Sequence, residues 1–152
     1  MEKLLPIILY GMDLVKYYIG NKFFFEGKMK RPWIAIVGGL GLFFVLSVFS
    51  VKGVGANVFA YFFAVVAAGI MVEGKIGTKI IRMVWLYSVV TSIDEMMMII
   101  HDGIIENFDE EIKYIVASIS TVFLLGTAGF ILKHYRIRFQ IRKFFLEVYI
   151  RF

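Results

Sequence analysis

Hydrophobic positions in this sequence do not alternate with polar ones; they gather into long, nearly unbroken runs. A helix rises about 1.5 Å per residue, so about 20 apolar residues cross the roughly 30 Å hydrocarbon layer of a bilayer. Five runs approach that length, at residues 4–19, 33–51, 54–72, 80–100 and 112–132. The second and third contain no charged residue and are separated only by Lys52 and Gly53. Asp13 and Lys16 interrupt the first, Arg82, Asp94 and Glu95 lie within the fourth, and Lys113 sits at the edge of the fifth. Each run reads as a helix, because a lone strand leaves its backbone groups unsatisfied in lipid. The predicted fold class is all-α: a polytopic membrane bundle of five transmembrane helices within residues 1–132, followed by a basic segment at 133–152.

Composition strengthens this picture. Of 152 residues, 60% are hydrophobic and 19% charged, and mean hydropathy is +0.79. A soluble chain of about 150 residues hides only about 70% of its surface on folding, so an apolar excess of this size has to face something other than water. The 17% aromatic content and two prolines exclude disordered and collagen-like classes. With no cysteine, disulfides, thiolate metal sites and cysteine nucleophiles are excluded. The first run is not expected to be a cleaved signal peptide: Glu2 and Lys3 cancel, and no small-residue cleavage pattern follows.

The cations set an orientation. Lys22, Lys28, Lys30 and Arg31, then Lys75, Lys79 and Arg82, then six more from Lys133 onward fall on one set of connections, thirteen in all, while the alternate set holds only Lys3, Lys52 and Lys113. Positively charged loops stay inside, so the N-terminus is predicted outside and the C-terminus cytoplasmic, in a plasma membrane. The net charge of +5 then meets anionic headgroups, and nucleic acid is not an expected partner. In the tail, Ile137, Ile141, Phe144, Phe145, Val148 and Phe152 recur near helical spacing among basic residues, the pattern of an interfacial helix or of a docking surface. Phe23, Phe24, Phe25 and Trp33 read as an interfacial belt, and Met96, Met97 and Met98 as adaptable packing.

Helices in lipid associate through close backbone approach and polar contacts. Ala56, Ala60, Ala64 and Ala68 repeat every four residues and share one helix face, a predicted contact surface within the chain or with a second copy. Gly38, Gly39, Gly41, Gly126 and Gly129 offer further close approaches.

Ionisable groups inside spans are costly and usually face protein or a water-filled cavity. Asp13 and Lys16 lie three apart on one face. Counting from the outer ends, Asp13 is about 13 Å below Leu4 and Asp94 about 10 Å below His101, so the two acids reach similar levels. Ser88, Thr91, Ser92 and Glu95 share that stretch of the fourth span, and Ser118 and Thr121 share a face of the fifth. The predicted site is a polar pocket in the outer half of the bundle lined by Asp13, Lys16, Thr91, Asp94, Glu95 and Ser118. The competing reading of these groups is a salt-bridged knot that fixes helix register and binds nothing. His101, Asp102 and Glu106 read as solvated loop charge, because a metal site needs at least three converging ligands; no metal or cofactor is expected.

No nucleotide-binding loop, nucleophile elbow, zinc-protease helix or dinucleotide fingerprint occurs, so an enzyme is not expected. The stretches Tyr10-Gly-Met-Asp13, Lys22-Phe-Phe-Phe25 through Lys28, Lys30 and Arg31 to Trp33, and Ser92-Ile-Asp-Glu95 resemble the membrane sensor region of receptor histidine kinases of the accessory gene regulator (GHKL) type. The resemblance implies a domain that detects an extracellular peptide, with Asp94 and Glu95 in the sensing half. Kinases of that type continue into a phosphoacceptor helix and an ATP-binding domain that this sequence does not contain, and His134 lies too close to the fifth span to be the phosphoacceptor; the expectation is a truncated or orphan sensor, or else an unrelated small membrane protein of similar composition. Three functions remain open. One is a non-catalytic sensor or accessory subunit that binds an extracellular small ligand or peptide and signals through a partner membrane protein or a second copy; the second is a small ion- or proton-coupled transporter or channel component; the third is a purely structural subunit of a larger complex.

Overall fold

The computed structural model describes residues 4–105 and 108–134. Glu2, Lys3 and Glu106, together with the amphipathic segment from Tyr135 to Phe152, lie outside the described residues. The described chain is all-helical: α1 (Leu4–Phe24), α2 (Trp33–Val48), α3 (Gly53–Met71), α4 (Ile76–Ile104) and α5 (Glu110–His134). Three of these helices, α3, α4 and α5, are long and apolar enough to cross a membrane.

Helix boundaries depart from the apolar runs where local chemistry takes over. α2 stops at Val48, three residues before its run ends, because Ser50 adopts a φ of 50° and Lys52 is extended before Gly53 turns at a φ of 59°. At 16 residues it is about 24 Å long. α4 outlasts its apolar run at both ends and reaches 29 residues, since Lys79, His101 and Asp102 continue the helix without needing an apolar environment. α1 has 21 residues and includes Asp13, Lys16 and Lys22.

α1 is the hub. It packs against each of the other four helices, and its buried face runs through Leu9, Tyr10, Asp13, Lys16, Tyr17, Gly20 and Asn21. Across from it, α3 presents Ala56, Ala60, Ala64 and Ala68, all buried, with Ala67 widening the stripe. Small side chains there let the two backbones approach. Gly20 does the same against α4, where an added Cβ would strike the Leu86 side chain, and Gly129 against α1, where it would come within 2.6 Å of Phe23. On α2, Gly38 and Gly39 face Tyr10, and Gly41 faces Phe63. Gly126 meets nothing within 4 Å, so it is not the point of close approach expected for it.

The two connections carrying most of the loop cations are tied together. Lys30 donates its backbone N–H to Met71 O at 2.9 Å, Glu73 donates to Lys28 O at 3.0 Å, and Met29 and Val72 form an isolated antiparallel bridge. The side chains of Lys30 and Glu73 form an ion pair above it. Phe24 and Phe25 pack on Trp85 at the same end, with ring centroids 5.5 and 5.2 Å apart. The residue 25–32 and 72–75 connections, and the end of α5 reached through Phe23 and Gly129, therefore share one end of the bundle.

Candidate functional site

The polar interior is built from α1 outward. One helical turn separates Asp13 from Lys16, so the ammonium reaches back to its own helix: Lys16 Nζ donates to Asp13 Oδ1 at 2.9 Å. It also donates to both oxygens of Asp94 on α4, at 2.9 and 2.7 Å. An ammonium has three protons, and all three have acceptors here. Lys16 and Asp13 are 0% exposed and Asp94 is 7% exposed. Asp94 Oδ2 receives a further, long hydrogen bond of 3.3 Å from the hydroxyl of Tyr61 on α3. Two carboxylates thus share one ammonium, and Asp13 Oδ2 is buried without a hydrogen-bond partner.

Asp94 also forms part of the wall of a cleft. The cleft, of about 1150 Å³, runs between α3 and α4 and is closed at one end by α5. Val58, Phe62, Val66, Ile70, Ile80 and Val84 make it largely apolar. Its polar groups cluster where α5 closes it, at Tyr61, Thr91, Asp94, Glu95, Tyr114 and Ser118, with Lys79 at the opposite end. Of the six residues predicted to line one pocket, Thr91, Asp94, Glu95 and Ser118 line this cleft, while Asp13 and Lys16 lie behind its wall, joined to it through Asp94. Thr91 Oγ1 is buried and unpartnered. Glu95 is exposed in the cleft, and none of the described ion pairs or hydrogen bonds includes it.

Other polar residues singled out from the sequence are used locally. Ser88 returns its hydroxyl to Val84 O at 2.9 Å and Thr121 to Ala117 O at 3.1 Å, each a bond to its own helix. Asp102 pairs with Lys113 at 2.6 Å, tying the end of α4 to the start of α5. His101 Nδ1 lies 2.7 Å from Met97 O, and its Nε2 lies 3.3 Å from the Ser120 hydroxyl. Among the described residues, no three metal-ligating side chains converge.

Sequence reasoning passed over Tyr17, Asn57 and Tyr61, three more polar groups in this interior. Tyr17 Oη and Asn57 Oδ1 are buried without partners. A signal was present: Asn57 and Tyr61 are one turn apart in an otherwise apolar run, and Tyr17 lies one turn beyond Asp13. No family model, curated protein or solved structure matches the chain.

Proposed function

We propose that this chain is a five-span, non-catalytic plasma-membrane protein that takes up a ligand from the outer side into the cleft between α3 and α4 and signals through partners. The N-terminus is then outside and the C-terminus cytoplasmic. The tied connections 25–32 and 72–75, rich in lysine and arginine, fit a common cytoplasmic end. α1 crosses in spite of its charges because its neighbours screen them from lipid. α2 crosses with its short length made up by Trp33 and the flanking basic residues at the interface.

The observation that carries the reading is the cleft itself: large, mostly apolar, with all its polar groups except Lys79 gathered where four helices converge. Ligand sites have this character, with a few placed polar groups in an apolar wall. The resemblance to peptide-sensing receptors makes extracellular peptides the first ligands to screen. The test is thermal unfolding of the full chain in lipid nanodiscs across a peptide library. A ligand of the cleft raises Tm in a saturable way, and Val66→Trp, which fills the cleft, removes that rise. Saturable stabilisation that survives Val66→Trp places the ligand elsewhere and rejects the reading.

A second reading, an ion- or proton-coupled transporter or channel component, is favoured by one specific feature: the two carboxylates around one ammonium, with a buried Asp13 oxygen left over. Flux across liposomes that follows a proton gradient and disappears in Asp94→Asn would establish it in place of the first.

A further inference from the structure

Building on the cleft as a ligand site, we infer that its ligand is a cationic amphiphile, an ammonium or guanidinium on an apolar body, whose charge seats beside Glu95 and draws Asp94 away from Lys16. Glu95 points to the charge. With the midpoint of α4 at residue 90 placed at mid-bilayer, Glu95 lies about 8 Å below the outer edge of the hydrocarbon. A carboxylate at that depth, in none of the ion pairs or hydrogen bonds among the described residues, calls for a cation from outside the chain. Thr91 Oγ1, buried and unpartnered in the same wall, and Ser118 across from it on α5 supply acceptors for N–H groups. The apolar body follows from the rest of the wall, which has no charged residue until Lys79 at the far end.

The sign of the charges in the wall sets the sign of the ligand. An anionic amphiphile would bring its charge against Asp94 and Glu95.

Asp94 connects the ligand to the rest of the bundle. Its carboxylate belongs to the cleft wall on one side and to Lys16 on the other. An arriving cation competes with Lys16 for it, and Lys16 has somewhere to go, because Asp13 Oδ2 is buried beside it and unoccupied by any donor. Lys16 then shifts along α1, the helix that touches all the others. Binding in the cleft becomes a rearrangement at the centre.

The test uses the full chain in nanodiscs with decylammonium, decanol and decyl sulfate below their micellar concentrations, reading Tm shifts and the side-chain ¹⁵N resonance of Lys16. Decylammonium is expected to bind at least about tenfold more tightly than decanol, the worth of a hydrogen bond to a charged group. Glu95→Gln, at an exposed position, brings that ratio to about one, and Thr91→Val, a milder change, lowers it about threefold. The Lys16 resonance moves with decylammonium and not with decyl sulfate. Equal binding of decylammonium and decanol, unchanged by Glu95→Gln, overturns the cationic assignment while leaving the cleft as a ligand site. Failure of all three probes to bind, or disulfide trapping of Ile80→Cys against a second copy in the nanodisc, overturns both.

Discussion

α1 and α2 are neighbours in the chain and opposites in the bundle. α1 carries Asp13, Lys16 and Asn21, buries all three, and touches every other helix. α2 has no charged residue and turns Ile36, Leu40 and Phe44 outward. In a water-soluble fold the more apolar helix would occupy the middle. The inverted order is what surroundings as apolar as the interior demand, because there only the polar groups gain by being covered. In such a chain the helix whose buried face carries the charges marks the centre.

The sharpest way to break this comparison is to remove the charge that holds α1 in place. Lys16→Met leaves Asp13 and Asp94 facing one another, both buried. Loss of one partner from a buried ionic group typically costs about 3–5 kcal/mol, so the variant is expected to unfold at much lower denaturant in a reversible mixed-micelle titration. The triple variant Asp13→Asn, Lys16→Met, Asp94→Asn removes the charges together and is expected to recover most of that loss, since replacing a whole buried ionic cluster is often neutral. A triple variant as unstable as Lys16→Met would mean that the ionic groups specify the position of α1 in a way that shape alone cannot. The same substitutions on α2 have no counterpart, as it contains nothing to neutralise.

The alanine stripe of α3 is the next point of leverage, because it is buried in a helix that packs on both the hub and α2. Ala64 is 0% exposed. Ala64→Leu inserts three carbons where backbones approach and is expected to cost about 1–3 kcal/mol by overpacking. Leu40→Ala on the outward face of α2 removes the same three carbons from a side chain that is 64% exposed. If α2 crosses the membrane as proposed, lipid replaces its contacts, and a change within about 0.5 kcal/mol is expected. Equal losses at the two sites would show that the outward face of α2 is covered by another protein surface.

Much of this arrangement was legible as periodicity. Five apolar runs mark five helices, a four-residue alanine repeat marks a buried face, and matched depths bring Asp13, Lys16 and Asp94 within reach of one another. Depth arithmetic works because helix rise is nearly constant, so residues on antiparallel helices have comparable heights before anything is known of packing. Azimuth was harder to read. Adjacent residues on a helix point about 100° apart, and the sequence does not say which neighbour each direction finds; Asp94 turns into the ionic cluster and Glu95 into the cleft. Tyr61 was missed for a related reason: in an interior as apolar as this one, a tyrosine counts as hydrophobic until a carboxylate is found beside its hydroxyl. The limits of α2 and α4 also escaped the apolar runs, because backbone turns at Ser50 and Gly53 and the tolerance of helices for exposed charged ends are not hydropathic signals.

The smallest test returns to the hub through two glycines of α5 that look alike in the sequence. Replacing a helical glycine by alanine contributes about 1 kcal/mol through the backbone, and what decides the net sign is the space each Cβ enters. At Gly126 nothing lies within 4 Å, so Gly126→Ala is expected to stabilise by about 0.5–1 kcal/mol. At Gly129 the new Cβ would sit 2.6 Å from Phe23 Cγ and 2.7 Å from Phe23 Cβ, the latter an atom fixed close to the α1 backbone that a rotamer change does not move. α1 and α5 would have to separate, and a net loss of about 1 kcal/mol is expected once overpacking offsets the backbone gain. Opposite signs in the same titration place Gly129 at the contact with the hub and Gly126 away from it; two stabilising substitutions would mean that α5 does not close on Phe23, and with it the sharing of one end of the bundle by α1 and α5 would fall.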